Sequence, residues 1–157
     1  MLAPSVSIMI VDDDKIDIMA LRRCFRVVDL QNTVVEARNG VEALARLRGS
    51  DGKAPVPKPH LVLLDLTMPR MGGLEFLDEV RRDPALQRTL IFVLTTSAAL
   101  ADRDRCYDRN IAGYMVKQRD SRASMETVAM LQQYCNMVSF PNGGARDAVP
   151  QAQGKLN

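Results

Sequence analysis

The feature that most constrains this sequence is the alternation of short apolar runs with longer amphipathic segments. Runs at residues 7–11, 33–37, 61–64, 91–94 and 114–116 are apolar or β-branched, as is typical of strands in a buried parallel sheet. Apolar residues recur at helical spacing over about 15–28, 40–47, 73–82, 98–109 and 121–138. The order predicts an α/β fold with a five-stranded parallel sheet covered by helices on both faces.

Two segments fall outside this alternation. Residues 49–59 contain two Gly and three Pro, which predicts a surface loop between the second helix and the third strand. Residues 141–157 are rich in Gly, Ala, Gln and Asn, which predicts a flexible C-terminal tail. Residues 1–140 are then expected to form one domain.

Charge and cysteine content restrict the function classes. The net charge of +2 favours neither a nucleic acid nor a membrane surface as the main partner, and no apolar run approaches the roughly 18 residues of a membrane helix. The first ten residues carry no Lys or Arg, so no secretory signal is expected. Cys24, Cys106 and Cys135 are odd in number and widely spaced, which favours reduced thiols and a cytoplasmic protein.

Polar residues follow four of the predicted strands. Asp12 and Asp13 follow the first strand, Asp65 the third, Thr95 the fourth and Lys117 the fifth. Because the C-terminal ends of parallel strands share one edge of the sheet, these side chains are expected to meet there. Clustered carboxylates suit Mg²⁺, and a carboxylate beside a hydroxyl and an ammonium suits phosphoryl transfer.

These residues carry a resemblance to a known family. The segments at 8–13 (IMIVDD), 63–74 (LLDLTMPRMGGL), 93–97 (VLTTS) and 113–117 (GYMVK) resemble those of response-regulator receiver domains, the phosphoacceptor modules of two-component signalling. The resemblance implies a flavodoxin-like (βα)5 fold with strand order 2-1-3-4-5; the chemotaxis member of the family is a standard example of that order.

The resemblance also implies roles for individual residues. Asp65 corresponds to the phosphorylated aspartate, and Mg²⁺ is expected on Asp13 directly, on Asp12 largely through water, and on Asp65. The remaining implied roles are the Thr67 carbonyl as a backbone metal ligand, Thr95 and Lys117 as partners of the phosphoryl group, and Tyr114 as the aromatic switch.

The family resemblance predicts a switch rather than an enzyme. The phosphoryl donor would be a sensor histidine kinase, and the signal would pass through protein–protein contacts without an output domain. The Thr-Thr-Ser at 95–97 and the segment at 134–141 resemble stand-alone regulators paired with bacteriophytochromes and similar kinases.

Two other functions fit parts of the pattern. A phosphatase of the haloacid-dehalogenase type also uses an aspartyl phosphate, Mg²⁺, a hydroxyl and a Lys, but it requires a second acid where Thr67 stands. A receiver used only for docking would not need the complete acid set.

The fifth helix carries an apolar stripe beyond the one that a sheet would cover. Met130, Tyr134 and Met137 form this second stripe, and Phe140 follows it. It predicts a homodimer contact through the fifth helix and its neighbouring strand. The alternative is additional cover for the edge of the core.

Three local predictions concern the loops of the site. Asp14 is expected to cap the first helix rather than bind metal. Asp17 is expected to be a first-turn acid that the helix dipole stabilises. Because Gln118 stands where many receivers have Pro, the Lys117–Gln118 peptide is expected to be trans.

Overall fold

Residues 6–28 and 32–141 are described by the structure, a computed structural model. In these ranges five strands alternate with five helices. The strands are β1 (Ser7–Val11), β2 (Val34–Ala37), β3 (His60–Leu64), β4 (Leu90–Thr95) and β5 (Gly113–Val116), and the helices are α1 (Lys15–Val27), α2 (Gly40–Arg48), α3 (Gly73–Arg82), α4 (Leu100–Tyr107) and α5 (Ser121–Met137). The predicted alternation is confirmed.

The strands form one parallel sheet in the order β2-β1-β3-β4-β5, as the family resemblance implied. The last residue of β1, Val11, lies opposite Ala37 on one side and Leu64 on the other. At the far edge, Thr95 lies opposite Val116. The strands therefore end together, and the residues that follow β1, β3 and β5 share one edge of the sheet.

Two apolar layers hold the helices on the sheet. Alternate residues of each strand point to opposite faces, so Ile8 and Ile10 pack with α1 and α5. Met9 and Val11 pack with residues of α2, α3 and α4 on the other face. Their nearly complete burial accounts for the continuous apolar character of β1. Helices on both faces are thus confirmed.

Local sequence signals set the helix ends. The Asp14 carboxylate accepts a hydrogen bond of 2.9 Å from the Ile16 N–H, so the predicted cap of α1 is confirmed. Asn39 caps α2 in the same way, at 2.8 Å from the Glu42 N–H. Helix α2 ends at Arg48, and the following residue, Gly49, has a left-handed φ of 72°, which suits a residue without a Cβ.

The structure departs from the predicted bounds most at α4. This helix covers Leu100–Tyr107 rather than 98–109, because the Ser97 side chain binds the Ala99 N–H before the helix begins. At the other end the chain leaves the helix and reaches a left-handed turn at Asn110. Its weakly amphipathic sequence, with Cys106 as its one buried residue, gave little indication of either end.

Several other predictions concern segments around the sheet. The loop at 49–59 runs from α2 to β3, at the edge opposite the strand ends, and its Val56 is buried in the core. All three cysteines are buried and free of disulfides. Residues 142–157 of the predicted tail lie outside the described residues. No helix in the part of the chain described here is long and apolar enough to cross a membrane.

Candidate functional site

Three carboxylates meet at the C-terminal edge of the sheet. One oxygen each from Asp12, Asp13 and Asp65 lies within 4.8 Å of the others. Asp12 and Asp65 are buried, whereas Asp13 is exposed, so the cluster has one side open to solvent. Hard oxygen donors with an open side are the donor set that a divalent cation such as Mg²⁺ requires, and the residues present therefore fit such an ion.

The ammonium of Lys117 lies beside this cluster. Its Nζ is 2.6 Å from an Asp12 oxygen, 2.8 Å from an Asp17 oxygen and 3.6 Å from an Asp65 oxygen. The Lys117 N–H also bonds to the Thr95 carbonyl at 2.7 Å, which fixes the backbone from which the side chain extends. One cation is thus shared by three acids from α1 and from the ends of β1 and β3.

Burial makes the charges of this cluster costly. Burial raises the pKa of Asp65, although Lys117 and hydrogen bonds from Thr67 and Thr95 oppose the increase. Burial likewise raises the pKa of Asp12 against the opposing effect of Lys117. For Lys117, burial alone would lower the pKa, but hydrogen bonds to the carboxylates outweigh it and raise the pKa. The acids therefore favour additional positive charge near them.

A close backbone approach shapes the loop after Asp65. A Cβ at Gly73 would lie 2.7 Å from both the Asp65 carbonyl oxygen and the Leu66 Cα. The Gly73 N–H donates to the Leu66 carbonyl at 2.9 Å. Only glycine allows α3 to begin this near to the acidic residue.

Thr95 and Tyr114 are connected through Ser97. The Ser97 N–H approaches the Thr95 hydroxyl at 3.3 Å, and the Tyr114 hydroxyl donates to the Ser97 carbonyl at 2.8 Å. The Ser97 hydroxyl donates to Asp102, in the first turn of α4, at 2.6 Å. The loop after β4 therefore joins the buried Thr95 to both α4 and the half-buried ring of Tyr114.

The structure brings most of the predicted site residues together. Asp12, Asp13, Asp65 and Lys117 form one cluster, and Thr95 contributes a hydrogen bond to Asp65. The backbone N–H of Thr67 contacts Asp65. Tyr114 is linked to the site only indirectly, through Ser97 and Thr95. Among the described residues the one cis peptide precedes Pro59, so the predicted trans Lys117–Gln118 bond is confirmed.

Asp17 is the site residue that the sequence analysis missed. It lies in the first turn of α1, as predicted, but it also binds the Lys117 ammonium directly. Its position in the first turn of α1, at the same edge of the sheet as Lys117, was the one available signal.

The second apolar stripe of α5 is mostly used within the chain. Tyr134 packs edge-on against Phe92 and Phe140, with ring centroids 5.0 and 6.0 Å apart. Met130 is half-buried against the core, Phe140 is 7% exposed, and Met137 is 80% exposed. The stripe thus covers the edge of the core, which was the alternative to the predicted dimer contact, except at Met137.

A known family model matches most of this chain. Residues 8–129 match the family model described as the response regulator receiver domain. The response regulator Rcp1 of Synechocystis is 28% identical over 131 residues, 83% of this chain and 89% of that protein. The probable methanogenesis regulatory protein FilR2 of Methanothrix harundinacea is 30% identical over 127 residues, 81% of each chain.

Solved structures of response regulators are also similar to this chain. The phosphorylated cyanobacterial phytochrome response regulator RcpA is 29% identical and superposes with a TM-score of 0.76 over 87% of this chain and 98% of its own. The Mn²⁺-bound form of Rcp1 is 29% identical with a TM-score of 0.77, covering 88% and 99%. Response regulator RPA3017, in red light signalling of R. palustris, is 25% identical with a TM-score of 0.75, covering 87% and 99%. The phosphatase alternative finds no support in these matches.

Proposed function

Because this chain belongs to the response regulator receiver family of two-component systems, we propose that its Asp65 accepts a phosphoryl group from a sensor histidine kinase. The observation that carries the proposal is the convergence of Asp12, Asp13 and Asp65 beside the Lys117 ammonium. Asp65 is the central member, since it belongs to the carboxylate cluster and also receives contacts from Thr95 and Lys117.

Mg²⁺ is the proposed cofactor. Asp12, Asp13 and Asp65 would hold it together with the backbone carbonyl of Thr67. When bound, the ion would neutralise negative charge on the transferring phosphoryl oxygens. The Mn²⁺-bound form of Rcp1 supports a divalent cation, and the all-oxygen donor set favours Mg²⁺.

The residues of this chain supply the rest of the chemistry. An Asp65 oxygen attacks the phosphorus of a phosphohistidine, so the P–O bond forms as the P–N bond breaks. As the P–N bond breaks, that nitrogen takes up a proton from solvent, so the imidazole leaves in its neutral form. The Lys117 ammonium and the Thr95 hydroxyl would bind phosphoryl oxygens and lower the cost of the charge that develops.

Tyr114 is the proposed reporter of this change. When the Thr95 hydroxyl turns toward a phosphoryl group, it loses its contact with the Ser97 N–H. The loop after β4 can then move, and the Tyr114 hydroxyl that binds the Ser97 carbonyl moves with it. The output would be a new surface at α4, β5 and Tyr114 that binds other proteins.

The partner is proposed to be a phytochrome-type sensor histidine kinase in the cytoplasm. Support comes from the solved relatives named for phytochrome or red light signalling and from three buried, free cysteines. The chain would act stoichiometrically rather than as an enzyme, and no role in binding nucleic acid or membranes is proposed.

A phosphotransfer assay tests this function. Radiolabelled histidine kinase should pass one phosphoryl group to each wild-type chain and none to Asp65→Asn. Asp104→Asn removes an exposed carboxylate of α4 and should accept label normally. Continuous release of phosphate over many turnovers would instead support a phosphatase, and equal labelling of Asp65→Asn would contradict the assignment of Asp65.

The acyl phosphate should hydrolyse slowly to moderately. In receivers, the residues two positions after the phosphoacceptor and two positions after the Thr of the site control the attacking water. Here they are Thr67 and Ser97, which are too weakly basic to remove a proton from water. Loss of label within a few seconds, without added phosphatase, would contradict this expectation.

A homodimer through α5 and β5 is also proposed. Met137 and Val138 at the end of α5 remain exposed, and so does Val116 at the other end of this face, on the edge strand β5. A symmetric copy packed along α5 and β5 would cover all three side chains. Sedimentation velocity should show a dimer at tens of micromolar that Met137→Glu weakens. A monomer both with and without phosphorylation would remove the dimer.

A further inference from the structure

One acid that binds Lys117, Asp17, lies outside the carboxylate cluster that contains the proposed phosphoacceptor. The Asp17 oxygen lies 2.8 Å from Nζ, nearer than the Asp65 oxygen at 3.6 Å. Asp17 lies outside the carboxylate group that could hold a metal ion. A cation bound by Asp12, Asp13 and Asp65 would therefore leave Asp17 free to keep its bond to the ammonium.

The surroundings of Asp17 differ from those of the other two acids that contact Lys117. The Asp17 side chain is 39% exposed, whereas those of Asp12 and Asp65 are 4% and 9% exposed. A cavity of about 60 Å³ adjoins it, lined by Asp17, Lys117 and residues of α1 and α5 that include Leu21 and Thr127. This volume exceeds the roughly 15 Å³ that one water needs, so water can hydrate the Asp17 carboxylate when the ammonium leaves.

We infer that Asp17 is a positioning residue that holds the Lys117 ammonium in the unphosphorylated protein and releases it to a phosphoryl group on Asp65. Asp17 is the partner released because its carboxylate regains hydration, whereas a buried carboxylate that loses its cation does not. The inference rests on the proposed function, since it requires a phosphoryl group at Asp65.

The direction of the effect follows from this competition. In the free protein Lys117 must give up its bond to Asp17 before it can bind a phosphoryl oxygen, which opposes phosphoryl binding. Removal of the Asp17 charge should therefore favour the phosphorylated state. Because Asp17 is partly exposed, the gain should be about two- to fivefold, as for a partly solvated ion pair.

Beryllofluoride, which mimics an acyl phosphate, provides the test. Calorimetric titration at saturating Mg²⁺ should show two- to fivefold tighter binding to Asp17→Asn, and Asp17→Glu should return the affinity toward that of the wild type. Asp14→Asn is the matched control, since it removes a charge from the same helix end while Asn preserves the cap. It should change the affinity much less.

A second background shows whether Asp17 acts through Lys117. When Lys117 is replaced by Met, adding Asp17→Asn should change the beryllofluoride affinity no more than adding Asp14→Asn does. In a crystal structure of the beryllofluoride complex, Nζ should lie more than 3.5 Å from the Asp17 carboxylate. Thermal melting of each variant verifies that it folds.

Three results would overturn the inference: unchanged or weaker binding by Asp17→Asn, an equal gain in the Lys117→Met background, or an intact Lys117–Asp17 bond in the complex. Failure of the proposed function looks different. In that case the wild type would not bind beryllofluoride, or Asp65→Asn would bind it equally well.

Discussion

Mg²⁺ should stabilise the folded chain, and Asp13 should be essential to that effect. Unit negative charges 4.8 Å apart repel by about 3.5 kcal/mol per pair at an effective dielectric constant near 20. Lys117 lies next to Asp12 and Asp65, but the exposed Asp13 has no described ion pair with it. Bound Mg²⁺ would relieve this repulsion in the folded state, where the three carboxylates lie together.

The expected size follows from binding linkage. At a Mg²⁺ concentration about 100 times Kd, the free energy of unfolding should rise by about 2.7 kcal/mol. For a domain of this length that corresponds to an increase in Tm of about 8 °C. In Asp13→Asn the increase in Tm caused by Mg²⁺ should fall below about 2 °C, because one ligand is lost. Without metal, this variant should melt no lower than the metal-free wild type.

Differential scanning calorimetry with and without Mg²⁺ gives the measurement. Asp14→Asn is the control, because its side chain caps α1 rather than joining the carboxylate cluster. It should keep the full Mg²⁺ response. The reasoning is refuted if wild type melts at the same temperature in millimolar Mg²⁺ and in chelator, or if Asp13→Asn responds as strongly as wild type.

Two further predictions concern packing. Gly73→Ala should lower the free energy of unfolding by about 1–3 kcal/mol in urea titrations, because its Cβ would lie 2.7 Å from backbone atoms after β3. Gly72→Ala should lower it less, since its Cβ would have one contact, at 3.3 Å. Equal losses for the two variants would contradict the argument from close approach. Tyr134→Ala should lower the free energy of unfolding by about 2–3 kcal/mol, because two aromatic contacts are lost. Met137→Ala, at an 80% exposed position, should change it by no more than about 0.5 kcal/mol. The reverse ranking would indicate that Met137 is the buried residue.

The residues that could be placed from sequence are those fixed by strand topology. Asp12, Asp65 and Lys117 directly follow apolar strands, and parallel strands end at one edge, so their convergence needs no knowledge of side-chain conformations. The capping role of Asp14 could be predicted equally well, because a cap depends only on local backbone geometry. The roles of these residues came from the family resemblance rather than from spacing.

The features that escaped prediction depend on side-chain reach and tertiary packing. Asp17 was recognised as a helix acid, but its bond to Lys117 joins residues 100 positions apart. The helical stripe that contains Tyr134 has the same periodicity whether it faces a partner or Phe92. Only the path of the chain after α5, which brings Phe140 back onto the core, decides between them.

The most direct test of the central claim is to locate the phosphoryl group chemically. After phosphorylation by a histidine kinase, borohydride reduction converts an aspartyl phosphate to homoserine, which peptide mass spectrometry can assign to one position. The account predicts homoserine at residue 65 and at no other aspartate. Homoserine at Asp12 or Asp13 instead, or a label that resists reduction, would contradict it.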